Sequence, residues 1–130
     1  MKARLLVLWA AAALLSAGGA AYAHHSFAGT YVEDGTMSIE GTLKEFSIRN
    51  PHSFVNVEVT EKDGKTKTIW GCEWAGTTQL QTSGVNARTL KPGDKLKITG
   101  APPRDPEGHR LLLRSLERPA DGYKWSGRVQ

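Results

Sequence analysis

The sequence predicts an all-β domain, a small five-stranded antiparallel barrel that is OB-fold-like, with one short helical connection and an N-terminal arm. Three observations carry that prediction. Between residues 37 and 118, short stretches alternate apolar and polar side chains with the period of two that a half-buried strand requires. Glycine- and proline-rich turns separate them. The one weakly helical stretch falls between the third and fourth strands, which is the element order of an OB barrel.

The first strand starts at Met37, where Ile39, Gly41 and Leu43 alternate with Glu40, Thr42 and Lys44. The apolar phase then slips to Phe46 and Ile48, so a bulge or sharp bend is expected, as where a strand crosses a barrel corner. Asn50-Pro51-His52 ends it. Ser53 to Thr60 is the cleanest strand, with Val55, Val57 and Val59 on one face and Phe54 standing out on the polar side, where it is expected to cover the barrel mouth. Asp63-Gly64 signals a hairpin. Thr66 to Trp74 follows, placing Trp70, Cys72 and Trp74 on one face. Thr77 to Gly84 is the helical stretch, and Asn86 is placed to cap one further turn to Leu90. After the turn at Lys91 to Asp94, Lys95 to Gly100 and His109 to Arg118 complete the five strands.

A chain of 130 residues supports one domain. Residues 1–23 have the form of a secretory signal peptide: Lys2 and Arg4, an eleven-residue apolar run from Leu5 to Leu15, and Ala21-Tyr22-Ala23 as the cleavage site, with Ala23 its last residue. The run is too short to span a bilayer, which takes about 20 residues, so no membrane span is expected once it is removed. The expected organisation is signal peptide 1–23, arm 24–36, barrel 37–118 and polar tail 119–130, with a periplasmic or secreted location. The net charge of +4 and pI of 9.4 invite a nucleic-acid partner. Lys2 and Arg4 leave with the signal, however, and the remaining +2 contains no basic run able to track a phosphate backbone. No nucleic-acid partner is expected. Cys72 is the single cysteine, so the domain is held by its core rather than by an internal disulfide.

Cleavage after Ala23 exposes His24-His25-Ser26-Phe27. An N-terminal histidine offers its α-amine and its ring to one metal ion, and a further imidazole completes a three-nitrogen set suited to copper. His25, His52 and His109 are candidates for that ring, with His52 the most interesting because it sits at a rigid strand junction. The predicted metal site is therefore His24, His25 and His52, with copper as the cofactor it suits. The bland alternative is a polar N-terminus and a histidine that satisfies a turn. For Cys72, between two tryptophans, a buried structural thiol is the expectation. No G-x-S-x-G, H-E-x-x-H or phosphate loop is present, so no enzyme is predicted. Glu73 is the one acid in an aromatic setting, and alternation assigns it to a solvated face. Phe54, Trp70 and Trp74 form a candidate binding face for an envelope protein partner, against the alternative that these rings close the core.

Several of these residues recur as a set. The pair His24-His25 with Ser26-Phe27, the Gly41-Thr42-Leu43 strand, Asn50-Pro51-His52, Trp70 with Glu73, and Leu90 to Asp94 leading to Gly100 together resemble an exported bacterial family, domain of unknown function 6152. The resemblance spans essentially all of the chain after the signal. It implies export and the barrel, implies no particular activity, and places His24, His25 and His52 within shared motifs. Two departures, Ala28-Gly29-Thr30-Tyr31 and Ala75-Gly76-Thr77, leave the histidines untouched.

Overall fold

The computed structural model describes residues 27–129, in two compact units divided after Thr30. In the first unit, residues 27–30 form a helical turn. The second unit holds six strands and one helix: β1 (Met37–Ser47), β2 (Ser53–Thr60), β3 (Lys67–Trp74), α1 (Thr77–Thr82), β4 (Lys95–Ala101), β5 (Arg110–Arg118) and β6 (Tyr123–Ser126).

The strands run in the order β3-β2-β1-β4-β5, and β3 pairs with β5 to close the ring. Four of the five pairings are antiparallel, but β3 and β5 run parallel. Parity requires this. Directions that alternate around a ring of five must repeat once, so a purely antiparallel five-stranded barrel cannot close. The predicted barrel is thus correct in strand number and helix position, and mixed at its closure.

β1 serves both halves of the barrel, as its phase slip predicts. Residues 37–42 pair with β4, and residues 42–47 pair with β2. The register shifts between Leu43 and Glu45, a bulge that moves the inward phase from Leu43 to Phe46. The Leu90–Asp94 turn docks on this corner. Gly93 donates its N–H to the Leu43 carbonyl, and Leu43 donates to the Asp94 carbonyl. A second register shift lies between Thr99 and Gly100, where a Cβ on residue 100 would come within 2.0 Å of the Leu112 carbonyl oxygen. Only glycine permits β4 and β5 to approach this closely.

The core is the barrel interior: Leu43, Val55, Val57, Cys72, Trp74, Ile98, Leu111, Leu113 and Leu116 are all buried. The C-terminal stretch read from sequence as a polar tail carries β6. β3 and β5 share only three pairs before the chain leaves β3 for α1, and β6 then takes the edge of β5 that β3 has left, from Ser115 to Arg118. Trp125 on β6 is buried, with its ring 5.0 Å from that of Trp74 in an edge-on contact. Its Nε1–H donates to Ser83 Oγ at 3.0 Å, so the indole fills the opening without stranding its polar atom.

Candidate functional site

The Asn50-Pro51-His52 junction between β1 and β2 is held at both ends. Asn50 Oδ1 accepts the Thr77 N–H at 2.9 Å at the start of α1. Ser53 donates its N–H to the Ala75 carbonyl, and Ser53 Oγ accepts the Arg49 N–H at 3.1 Å. Gly76 lets the two segments meet, since a Cβ there would come within 2.5 Å of the Pro51 carbonyl oxygen. The junction is therefore a fixed mount for His52, as the sequence led us to expect of that residue.

Its ring meets Glu73. His52 Nδ1 lies 2.8 Å from Glu73 Oε1, and the two side chains are 18% and 13% exposed. The other carboxylate oxygen accepts the Tyr31 hydroxyl at 2.6 Å, and Arg110 Nη2 stands 4.0 Å from it. Glu73 thus gathers a phenol, an imidazole and a guanidinium from three separate parts of the chain. Tyr31 is completely buried. Burial, and then the hydrogen bond to Glu73, push its hydroxyl well above the usual tyrosine range, so it remains a proton donor at any physiological pH. A neutral His52 that donates from Nδ1 turns its Nε2 lone pair away from Glu73.

Glu73 does lie on the face opposite Trp70 and Trp74, as alternation requires, but that face is covered at this point rather than solvated. The cover comes from a stretch without periodicity. Tyr31 bridges to Pro103, Val32 donates its N–H to the Pro102 carbonyl, and Arg114 binds the carbonyls of Glu33 and Gly35. Leu112, paired with Glu73 across the closing strands, is buried as well. Tyr31 and Arg110 are the members of the cluster that sequence reasoning missed. The one available signal was an acid flanked by tryptophans.

The remaining predicted residues are dispersed. Ala23, His24 and His25, with the whole signal segment, lie outside the described residues. Trp70 and Trp74 point into the core, 8% and 0% exposed. Phe54 faces the other way, paired with Glu73, so the three rings do not share one groove. His109 is exposed and meets the Trp70 ring edge-on at 5.4 Å. Cys72 is fully buried, and burial pushes its thiol up to about 12, which makes it a structural thiol without thiolate character at neutral pH. Among the described residues, no three His, Cys, Asp or Glu side chains are grouped to hold a metal ion, so His52 and Glu73 form a pair rather than a complete donor set. Nor is any described helix long and apolar enough to cross a membrane.

These features define a small closed β-barrel with OB-like connectivity and a partly buried carboxylate cluster on its outer wall. The chain belongs to the family of unknown function DUF6152, whose model matches residues 11–112. No curated protein and no solved structure matches it.

Proposed function

We propose that this barrel is exported to the periplasm, cleaved after Ala23, and binds copper through the α-amine and ring of His24, with His25 and His52 as the further nitrogen donors. The support that carries this reading is the Glu73–His52 hydrogen bond. Histidines that ligate metals commonly donate their second ring N–H to a carboxylate, which fixes the tautomer and makes the ligating nitrogen more basic. Tyr31 extends the chain by fixing the carboxylate in turn. Imidazole nitrogen suits copper, which tops the divalent affinity order.

The test is a Cu(II) titration of the secreted protein, followed by electron paramagnetic resonance, after intact mass has fixed the first residue. Binding tighter than micromolar is expected. Glu73→Gln should weaken it by about tenfold to a hundredfold, as loss of an outer-shell carboxylate does elsewhere. A mature chain that starts at His24 and binds no tighter than micromolar would sink the copper reading.

A second reading is an assembly module that docks an envelope protein on a sheet edge. It draws on Ile69, half exposed on the part of β3 that lies before the β5 pairing. Trp70 and Trp74 lend it nothing, because both are buried.

A further inference from the structure

The outer wall carries a second cluster that the copper reading does not use. Phe54 and Asn56 on β2 stand beside Glu73 and Gly71 on β3, and Gly71 stands beside Arg110 on β5. Phe54 is the apolar side chain in an otherwise polar row, and two cations have collected on its ring. The Cζ atoms of Arg49 and Arg110 lie 4.9 and 6.0 Å from the ring centroid. Both arginines are exposed.

Two positive charges on one ring repel each other, and the acids nearby do little to offset them. Glu73 is the carboxylate within ion-pair reach of Arg110, at 4.0 Å, and its oxygens already accept from His52 and Tyr31. Among the described residues Arg49 has no carboxylate partner, its guanidinium contact being the Phe54 ring. Glu45 accepts from the Asn56 side chain at 3.3 Å, and Glu58, further along the same row of β2, is paired with Lys44 and Lys67 at 3.3 and 3.5 Å. A guanidinium over a ring face keeps N–H donors that the ring does not use. Beside them the surface is low. A Cβ on residue 71 would meet only Asn56 Oδ1 within 4 Å, at 3.6 Å, so space lies open above Gly71.

We propose that Arg49 and Arg110, held on Phe54 beside the Gly71 notch, form a subsite for a phosphoryl group. The planar oxygens of a carboxylate are satisfied by one guanidinium fork. A tetrahedral phosphoryl group has three acceptor oxygens and takes donors from more than one guanidinium, and two have their Cζ atoms within 6.0 Å of this one ring centroid. The phosphoryl group belongs either to a soluble phosphate ester or to an anionic lipid headgroup, and the two sources separate experimentally.

The experiment uses metal-free protein, so its outcome is independent of the copper reading. Inorganic phosphate is titrated while backbone and arginine side-chain resonances are followed by NMR, and co-sedimentation with phosphatidylglycerol vesicles is measured in parallel. Shifts confined to Arg49, Phe54, Gly71 and Arg110 are expected. Arg49→Lys and Arg110→Lys keep the charge and remove the fork, and each should weaken binding roughly tenfold. A response to inorganic phosphate points to a soluble ester, and binding to vesicles alone points to a headgroup; either supports the subsite. No response in either titration, or one that both lysine variants leave unchanged, overturns it.

Discussion

β3 is eight residues long, and its two faces obey different rules. The inner face presents Trp70, Cys72 and Trp74 to a core built by strands that alternate in the same way. The outer face presents Ile69, Gly71 and Glu73, of which Ile69 is half exposed while Glu73 is mostly covered. Alternation decides which face a side chain takes. It does not decide what is laid over that face afterwards. The inner face is a packing surface, filled by area and shape, whereas the outer face at Glu73 is a polar cluster with a fixed number of donors and acceptors.

The largest expected effect tests the inner face. Trp74 is fully buried against Phe46 and Trp125, at ring separations of 5.7 and 5.0 Å. Trp74→Ala should therefore cost about 3–5 kcal/mol, the range for emptying an aromatic site in a core. Ile69→Ala, on the same strand but half exposed, should change stability by only about 0.5 kcal/mol. Urea denaturation of both variants measures the contrast. Equal costs would mean that the outer face is packed as the inner one is, and the comparison would fall.

This contrast also explains how much of the molecule is legible in its sequence. The inward positions follow from period-two alternation, and the β1 bulge follows from the slip between Leu43 and Phe46. The Asn50-Pro51-His52 junction stands out as a break and is indeed a fixed mount. The carboxylate cluster is much less legible. Tyr31 and Glu73 are separated by 42 residues, and the segment that carries Tyr31 has no period to read. What brings it there is a set of long-range backbone contacts to Pro102 and Pro103 and the grip of Arg114 on two carbonyls. None of these leaves a local pattern. β6 is illegible for a related reason: four residues are too short for alternation to register, and their place is set by where β3 departs from β5.

The outer face should respond to the loss of single polar atoms rather than of volume. Glu73→Gln keeps the shape of the side chain but offers the Tyr31 hydroxyl and the His52 N–H at most one carbonyl oxygen between them. The donor left over is buried, and the expected cost is about 1–3 kcal/mol. Tyr31→Phe removes one donor and leaves the carboxylate its His52 partner and Arg110 nearby, so it should cost less, about 1 kcal/mol. The double variant closes a thermodynamic cycle. Coupling of at least about 0.5 kcal/mol is expected for side chains that share a hydrogen bond, and additive losses would show that the 2.6 Å contact contributes nothing of its own.

The smallest effect concerns a second polar cluster, which clamps the Leu90–Asp94 turn to the end of β5. Arg118 donates to Asp94 Oδ2 and to the Thr89 carbonyl, both at 2.8 Å, and forks onto the two oxygens of Asp121. Burial raises the Asp94 carboxyl, but the Lys91 amide and the Arg118 guanidinium more than reverse this and leave it below its ordinary value. Asp121 is lowered too, chiefly by its bond to Arg118. Carboxyls that are more acidic in the folded chain than in the unfolded one stabilise the fold above the ordinary carboxylate value, near pH 4, and that stability fades as pH falls toward the folded values. Arg118→Met should lower the Tm by roughly 2–4 °C at pH 7, as expected for a partly exposed cluster. At pH 2.5 the same substitution should matter less, because both carboxyls are losing the charge that Arg118 neutralises. Calorimetry at the two pH values decides it: a Tm difference that is unchanged in acid would show that Arg118 acts through its hydrogen bond to the Thr89 carbonyl and its stacking on Tyr123, 5.2 Å from the ring centroid, rather than through the carboxylates.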